Sequence, residues 1–205
     1  MKKCVRCGRE LPDIAGFCRH CGARQSLDES QQNSGSSQAG IYNRLCWEII
    51  TEISNLGCTQ MEMFSEIDDL SQKLLSYSID TLTDYFSDGV DNDYANSKCP
   101  LYPEALSVLN SARAKYEKWH SRPRQLLQEL KAAVLKDTGE DIDISGFDLD
   151  ENFFNIKPNL NTEDLTEVIQ DINWKLSDYF SDASDLLDNM GEKIEAIMIR
   201  LFEKK

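Results

Sequence analysis

Four cysteines within the first 21 residues constrain this chain more than any other feature. Cys4-Val-Arg-Cys7 and Cys18-Arg-His-Cys21 form two Cys-x-x-Cys steps with ten residues between them. Each step can curl so that both sulfurs face one point, and two such turns complete a tetrahedron of thiolates around a single Zn²⁺. Four protein ligands leave no open coordination position, so the expected ion is structural rather than catalytic. A module this short cannot bury enough apolar surface to fold alone. Metal binding, on the order of 10 kcal/mol in comparable peptides, would supply the folding free energy.

The match to a known pattern goes beyond the cysteines. Gly8 and Gly22 follow the two pairs, where a positive φ is convenient, and Leu11 and Phe17 can make apolar contact across a hairpin. The segment resembles the short bacterial zinc-ribbon family, with its Cys-x-x-Cys-Gly, a following Leu, then Phe-Cys-x-x-Cys-Gly. That resemblance covers about a tenth of the chain. It implies a β-hairpin ribbon with one Zn²⁺ on Cys4, Cys7, Cys18 and Cys21, and the interaction or scaffolding role of such ribbons. It implies no activity for the rest of the chain.

Charge divides the chain at nearly the same place. The formal net charge is −14, yet residues 1–25 hold six Lys/Arg against two acids, and residues 26–205 hold 16 against 34. The first part is therefore basic, mildly so once thiolates and zinc are counted, and the remainder strongly acidic. An acidic body disfavours DNA, RNA and anionic membranes, leaving nucleic acid as a partner for the ribbon only. No apolar run approaches the roughly 20 residues that cross a bilayer, and the start of the chain lacks a signal peptide's apolar stretch. A reducing, cytoplasmic location is expected, consistent with an odd total of seven cysteines. Of the other thiols, Cys46 on an apolar stripe and Cys58 in a short turn are expected to be unreactive; Cys99, before Pro100, is the one expected to be exposed.

Three segments follow: a ribbon over 1–24, a polar, Ser- and Gln-rich linker over 25–40, and a helical body over 41–205. The fold class expected is mainly α, an acidic helical bundle with long heptad-patterned helices behind a small zinc ribbon. Periodicity predicts a helix over about 42–56, ended by Gly57, and a second over about 59–87, opened by the capping box Thr59-Gln-Met-Glu62. Helices over about 103–119 and 123–136 each start with Pro in the first turn. Residues 139–161 are irregular, with Ile142, Ile144, Phe147 and Leu149 suited to a short extended piece. Asn161 is expected to cap a last long helix with a seam of Leu165, Ile169, Ile172, Leu176, Tyr179, Ala183, Leu186 and Met190. This seam either folds back on the chain or pairs with another copy, making residues 165–201 the candidate for homo-oligomerisation. Trp47, Trp119 and Trp174 are expected in the core. Leu82-Thr-Asp-Tyr-Phe-Ser-Asp88 and Leu176-Ser-Asp-Tyr-Phe-Ser-Asp182 agree at six of seven positions. Internal duplication and shared composition both account for that echo.

Catalytic patterns are sparse. His120, the second of two histidines, is expected as an exposed residue between helices, and no phosphate-binding glycine loop or Ser-His-Asp set is present. Asp141-x-Asp143-x-Ser145-Gly146 opens like a calcium loop, but Asn152 stands where a bidentate Glu is needed, leaving divalent-ion binding by 141–152 a weak alternative. Acid pairs such as Asp84/Asp88, Asp178/Asp182 and Glu66/Asp69 are expected as solvated surface. The function expected is non-enzymatic: a protein-protein interaction or adaptor protein. The alternatives are a nucleic-acid-associated regulator using the ribbon's Lys and Arg residues, and an acidic inhibitor or immunity-type protein whose helical body binds a basic partner.

Overall fold

The computed structural model describes residues 2–4, 6–11, 38–88 and 98–203. The chain divides into two compact units, Met1–Arg44 and Leu45–Lys205. In the first unit, strands β1 (Lys2–Lys3) and β2 (Glu10–Leu11) pair antiparallel, with Lys2 opposite Leu11 and Lys3 opposite Glu10. The rest of the expected ribbon, including Cys18 and Cys21, and the linker up to residue 37 lie outside the described residues.

The second unit is a bundle of three long helices: α1 (Gln38–Asp88), whose residues up to Arg44 are counted with the first unit, α2 (Tyr102–Thr138) and α3 (Thr162–Glu203). α1 and α2 are each longer than the sequence pattern suggested, whereas α3 spans the expected length. α1 begins at Gln38, inside the stretch read as linker, and runs through Gly57 without a break. The reason is phase. Buried Tyr42, Leu45, Ile49 and Leu56 before the glycine line up with Met63, Ile67, Leu70 and Leu74 after it, seven residues separating Leu56 from Met63. Ending the helix at Gly57 would take one half of this stripe off the core. Burial at about 1.5–3 kcal/mol per large apolar side chain outweighs the roughly 1 kcal/mol propensity cost of glycine. The Thr59–Glu62 capping box is simply absorbed.

The same argument joins the two helices expected on either side of residues 120–122. Pro123 is buried within α2, and the line Tyr102, Ala105, Leu109, Ala112, Tyr116, Trp119, Pro123, Leu126 and Leu130 advances by threes and fours straight through it. Proline forfeits one backbone hydrogen bond, which continuous packing offsets. α2 ends where Gly139 turns left-handed at φ 75° and its N–H bonds to Leu135 O. α3 starts as expected, with Asn161 Oδ1 accepting from Asp164 N at 2.8 Å.

Cross-helix contacts give the topology. Lys73 pairs with Glu104, Glu66 with Lys115, and Glu48 with Arg122, so α1 and α2 are antiparallel. Phe64 meets Phe180 edge to face, and the Cys46 thiol, its pKa raised by burial and then by the nearby Glu195 carboxylate, faces a later part of α3, so α3 is also antiparallel to α1. α2 and α3 therefore run parallel, as the Tyr116–Tyr179 and Trp119–Phe180 ring contacts confirm. Parallel neighbours need a connection as long as themselves. Residues 139–161 supply it, returning along α2 as a strap with a single 3-10 turn at Ser145–Phe147. This is not an extended strand: of the alternating apolar residues Ile142 and Phe147 are buried and Ile144 and Leu149 half-buried, while Phe154 and Ile156 further along are buried as well.

The α3 seam lies inside this bundle, with Leu165, Ile169, Ile172, Leu176, Tyr179, Ala183, Met190 and Ile194 all buried. At one step Leu187, not Leu186, is the buried residue. A straight helix at 3.6 residues per turn drifts off a strict seven-residue repeat, and one extra residue restores the face. Trp174 departs from expectation entirely, being 74% exposed. The two copies of the Leu-x-Asp-Tyr-Phe-Ser-Asp echo fall at the end of α1 and in the middle of α3. At their offset, buried Leu74 falls on half-buried Val168 and exposed Leu75 on buried Ile169.

Candidate functional site

The turn between β1 and β2 holds the first cysteine pair. Gly8 N–H bonds to Cys4 O at 3.0 Å, and Cys4 N–H bonds to Arg9 O at 2.8 Å, closing the turn. Gly8 has φ 69°, a conformation that a side chain would strain. The backbone N–H groups of Arg6 and Cys7 both point at Cys4 Sγ, each at 3.4 Å. Two N–H donors on one sulfur stabilise negative charge there, favouring the thiolate that zinc requires. Cys4 is buried, and Cys7 sits on the exposed side of the turn. The residues present thus fit one half of a tetrathiolate zinc site.

A second constellation lies where the strap crosses the middle of α2. His120, Tyr116 and Arg124 fall on one face of the helix at steps of four. The His120 ring is stacked between Tyr116 and Phe147, with centroids 4.8 and 5.0 Å away. Its Nε2 faces two acceptors, Phe147 O at 2.9 Å and Asp148 Oδ1 at 3.1 Å, so Nε2 carries the hydrogen. Tyr179 Oη donates to the same Phe147 carbonyl at 2.9 Å, and Leu149 N–H donates to Tyr116 Oη at 3.2 Å. Arg124 holds the other Asp148 oxygen at 3.2 Å. Burial lowers the His120 pKa, opposed by the Phe147 hydrogen bond and Asp148; burial wins, and the ring is neutral. Burial likewise pushes both tyrosines upward, Tyr179 far above the ordinary phenol range.

His120 is thus a buried helix residue rather than an exposed turn residue. It works as a clamp holding the strap on α2 and α3. Periodicity carried the signal: His120, Leu127 and Val134 form a second buried line at seven-residue steps beside the main one. Outside the clamp, an open cleft of about 590 Å³ is lined by Arg113, Glu117, Arg124 and the strap carboxylates Asp148, Asp150 and Glu151. Arg113 is taken by Glu117 at 2.8 Å and Arg124 by Asp148. With both guanidiniums neutralised, the cleft presents an acidic lip without a cation to grip an anion.

The remaining sequence candidates are not brought together. Asp141 turns to Lys131 at 3.0 Å, and Asp143 Oδ1 accepts from Ser145 N–H at 2.9 Å. Glu66 is engaged by Lys115 and Ser111, Asp178 and Asp182 are exposed, and the side chains of Asp84 and Asp88 lie outside the described residues. Among the described residues no three or more His, Cys, Asp or Glu side chains cluster to hold a metal ion. Cys99, expected to be exposed, is 1% exposed, its N–H bonded to Leu160 O, whereas Cys58 is exposed. No described helix is long and apolar enough to cross a membrane.

Comparison with family patterns identifies a zinc-ribbon domain at residues 3–25. Comparisons with curated proteins and with solved structures find no match. The zinc-ribbon assignment therefore stands for the head of the chain, and the helical remainder is described by its own geometry alone.

Proposed function

We propose that this chain is a non-enzymatic, cytoplasmic interaction protein, in which a ribbon folded by one structural Zn²⁺ is carried on an acidic helical body. The observation that carries this reading is the Cys4 turn. Two backbone N–H groups point at its sulfur, and the zinc-ribbon match over residues 3–25 spans Cys18 and Cys21, which in this reading complete the ligand set. A site closed by four thiolates shapes a surface and does no chemistry. The clamp at His120 points the same way, since its titratable groups are spent on one another in holding the strap. The reading is tested by pull-down from the native host with full-length protein and with Cys18→Ser, accompanied by zinc content. One zinc per chain, and a partner lost on substitution, are expected if the ribbon docks; turnover of a nucleotide or other substrate by the purified protein would overturn the reading.

A second reading is favoured by Trp174. This exposed indole stands on α3 beside Asp171 and Asp178, also exposed. Asp171 is paired with Lys175 at 2.6 Å, so an exposed indole next to the Asp178 carboxylate is what suits a cationic partner, as in an acidic inhibitor. Under that reading Trp174→Ala abolishes capture, Cys18→Ser leaves it intact, and binding weakens with salt.

A further inference from the structure

α1 carries an apolar line that the bundle does not use. Ile50, Met61, Leu75 and Ile79 are 48%, 74%, 54% and 56% exposed. At 100° per residue they fall within about 40° of one another on the helix circumference, well away from the buried stripe. The other positions on this line are Ser54, Gly57, Asp68 and Gln72, so Asp68 is its only charge, and its carboxylate is bonded to Gln72 Nε2 at 2.9 Å. The next charged residues, Glu62 and Asp69, lie about a quarter turn around the helix. By contrast, the exposed apolar residues of α2, Leu106 and Leu135, stand far apart, and Trp174 has charged Asp171, Lys175 and Asp178 around it.

The spacing along this line reads the same in both directions. Positions 50, 54, 57, 61, 68, 72, 75 and 79 advance by 4, 3, 4, 7, 4, 3 and 4. Two such helices laid antiparallel about a twofold axis near residues 64–65 place Ile50 on Ile79, Ser54 on Leu75, Gly57 on Gln72 and Met61 on Asp68. The line spans about eight full turns, so it stays straight along the helix and needs no supercoil to keep contact. Gly57 lies on it, and a Cβ there would meet nothing within 4 Å inside the chain. Intrachain packing gives no reason for a glycine that weakens the helix; close approach by a second backbone does.

We infer that α1 pairs with α1 of a second copy, antiparallel, through this line. Charge selects that occupant: two chains of net charge −14 repel almost everywhere, and this face is where two copies can meet without opposing carboxylates. The strip is about 44 Å long and about 10 Å wide, or roughly 900 Å² over both copies, below the standard size for a permanent interface. The dimer therefore exchanges with monomer in the micromolar range. It forms through α1, not through the α3 seam, which the bundle buries.

Sedimentation of the full-length, zinc-loaded chain is expected to move from monomer toward dimer mass as concentration rises from about 1 to several hundred µM. Added NaCl should strengthen pairing by screening the net charge, whereas a basic ribbon docking on the acidic body of another copy would weaken with salt. Met61→Glu, at an exposed position that leaves the helical signal unchanged, should give monomer throughout by facing Asp68 of the mate; Met61→Lys should pair at least as tightly as the native chain. In a Cys58→Ser background, Ile50→Cys and Ile79→Cys proteins oxidised as a mixture should form the mixed disulfide, and Ile50→Cys alone should not couple to itself. Monomer at every concentration, dimer lost with salt, coupling of Ile50→Cys to itself, or a Met61→Glu protein that still dimerises would each overturn the inference.

Discussion

At the scale of single residues, His120 shows how one side chain can decide where a long segment lies. Its neutral ring donates to Phe147 O while two aromatic rings cover its faces. Because burial lowers its folded pKa below the ordinary 6.5, the unfolded chain binds the proton more tightly. The contribution to stability is thus full above the unfolded value and is lost as pH falls from there through the folded pKa. Urea unfolding followed by circular dichroism should show a midpoint that drops as the pH falls below about 6.5; in His120→Gln this part of the slope should flatten, at a cost of about 1–3 kcal/mol at neutral pH. The thiols make a second residue-level forecast. On the zinc-loaded chain, where metal ligation would protect exposed Cys7, iodoacetamide should modify exposed Cys58 first, with Cys46 slow because burial raises its pKa and Cys99 slow because it is enclosed. Rapid labelling of Cys99 in the folded protein would contradict its burial.

Individual elements were legible in the sequence as stripes more than as boundaries. The apolar positions of all three helices stand at steps of three and four, and Asn161 caps α3 as its chemistry requires. The boundaries at Gly57 and Pro123 failed for a common reason: a local breaker costs a fixed, small amount, while a stripe in phase on both sides gains burial along the whole helix. Checking phase across Gly57, where Leu56 and Met63 are seven apart, would have shown one helix. His120 was misplaced by the same error, since the supposed turn was its only reason to be exposed. What no periodicity could reveal is the path of the strap, because its contacts to Lys131, His120, Tyr116 and Tyr102 are set by tertiary topology. Two substitutions separate the terms. Gly57→Ala should raise the unfolding free energy of the monomer by about 0.5–1 kcal/mol, its added methyl meeting open space, and Asn161→Ala should lower it by about 1 kcal/mol through loss of the cap. Urea midpoints of the two proteins check both signs.

For the whole molecule, the two compact units predict two independent stabilities. Removing zinc with a chelator is expected to unfold the first residues, detected by new proteolytic cleavage between Cys4 and Cys21, while the helical signal and its melting temperature stay within error. A fall in the melting temperature of the helices on chelation would mean that the ribbon contributes to the bundle. The parallel arrangement of α2 and α3 has a different consequence. The strap joins helices whose apolar seams already hold them side by side, and it passes Lys157 at the surface. One backbone cut there would divide the body into two polypeptides that share a core, the α3 piece held as firmly as a subunit in a heterodimer. The continuous chain thus keeps α3 at a high effective concentration beside its partners, and a nicked chain would turn that fixed association into one that responds to dilution.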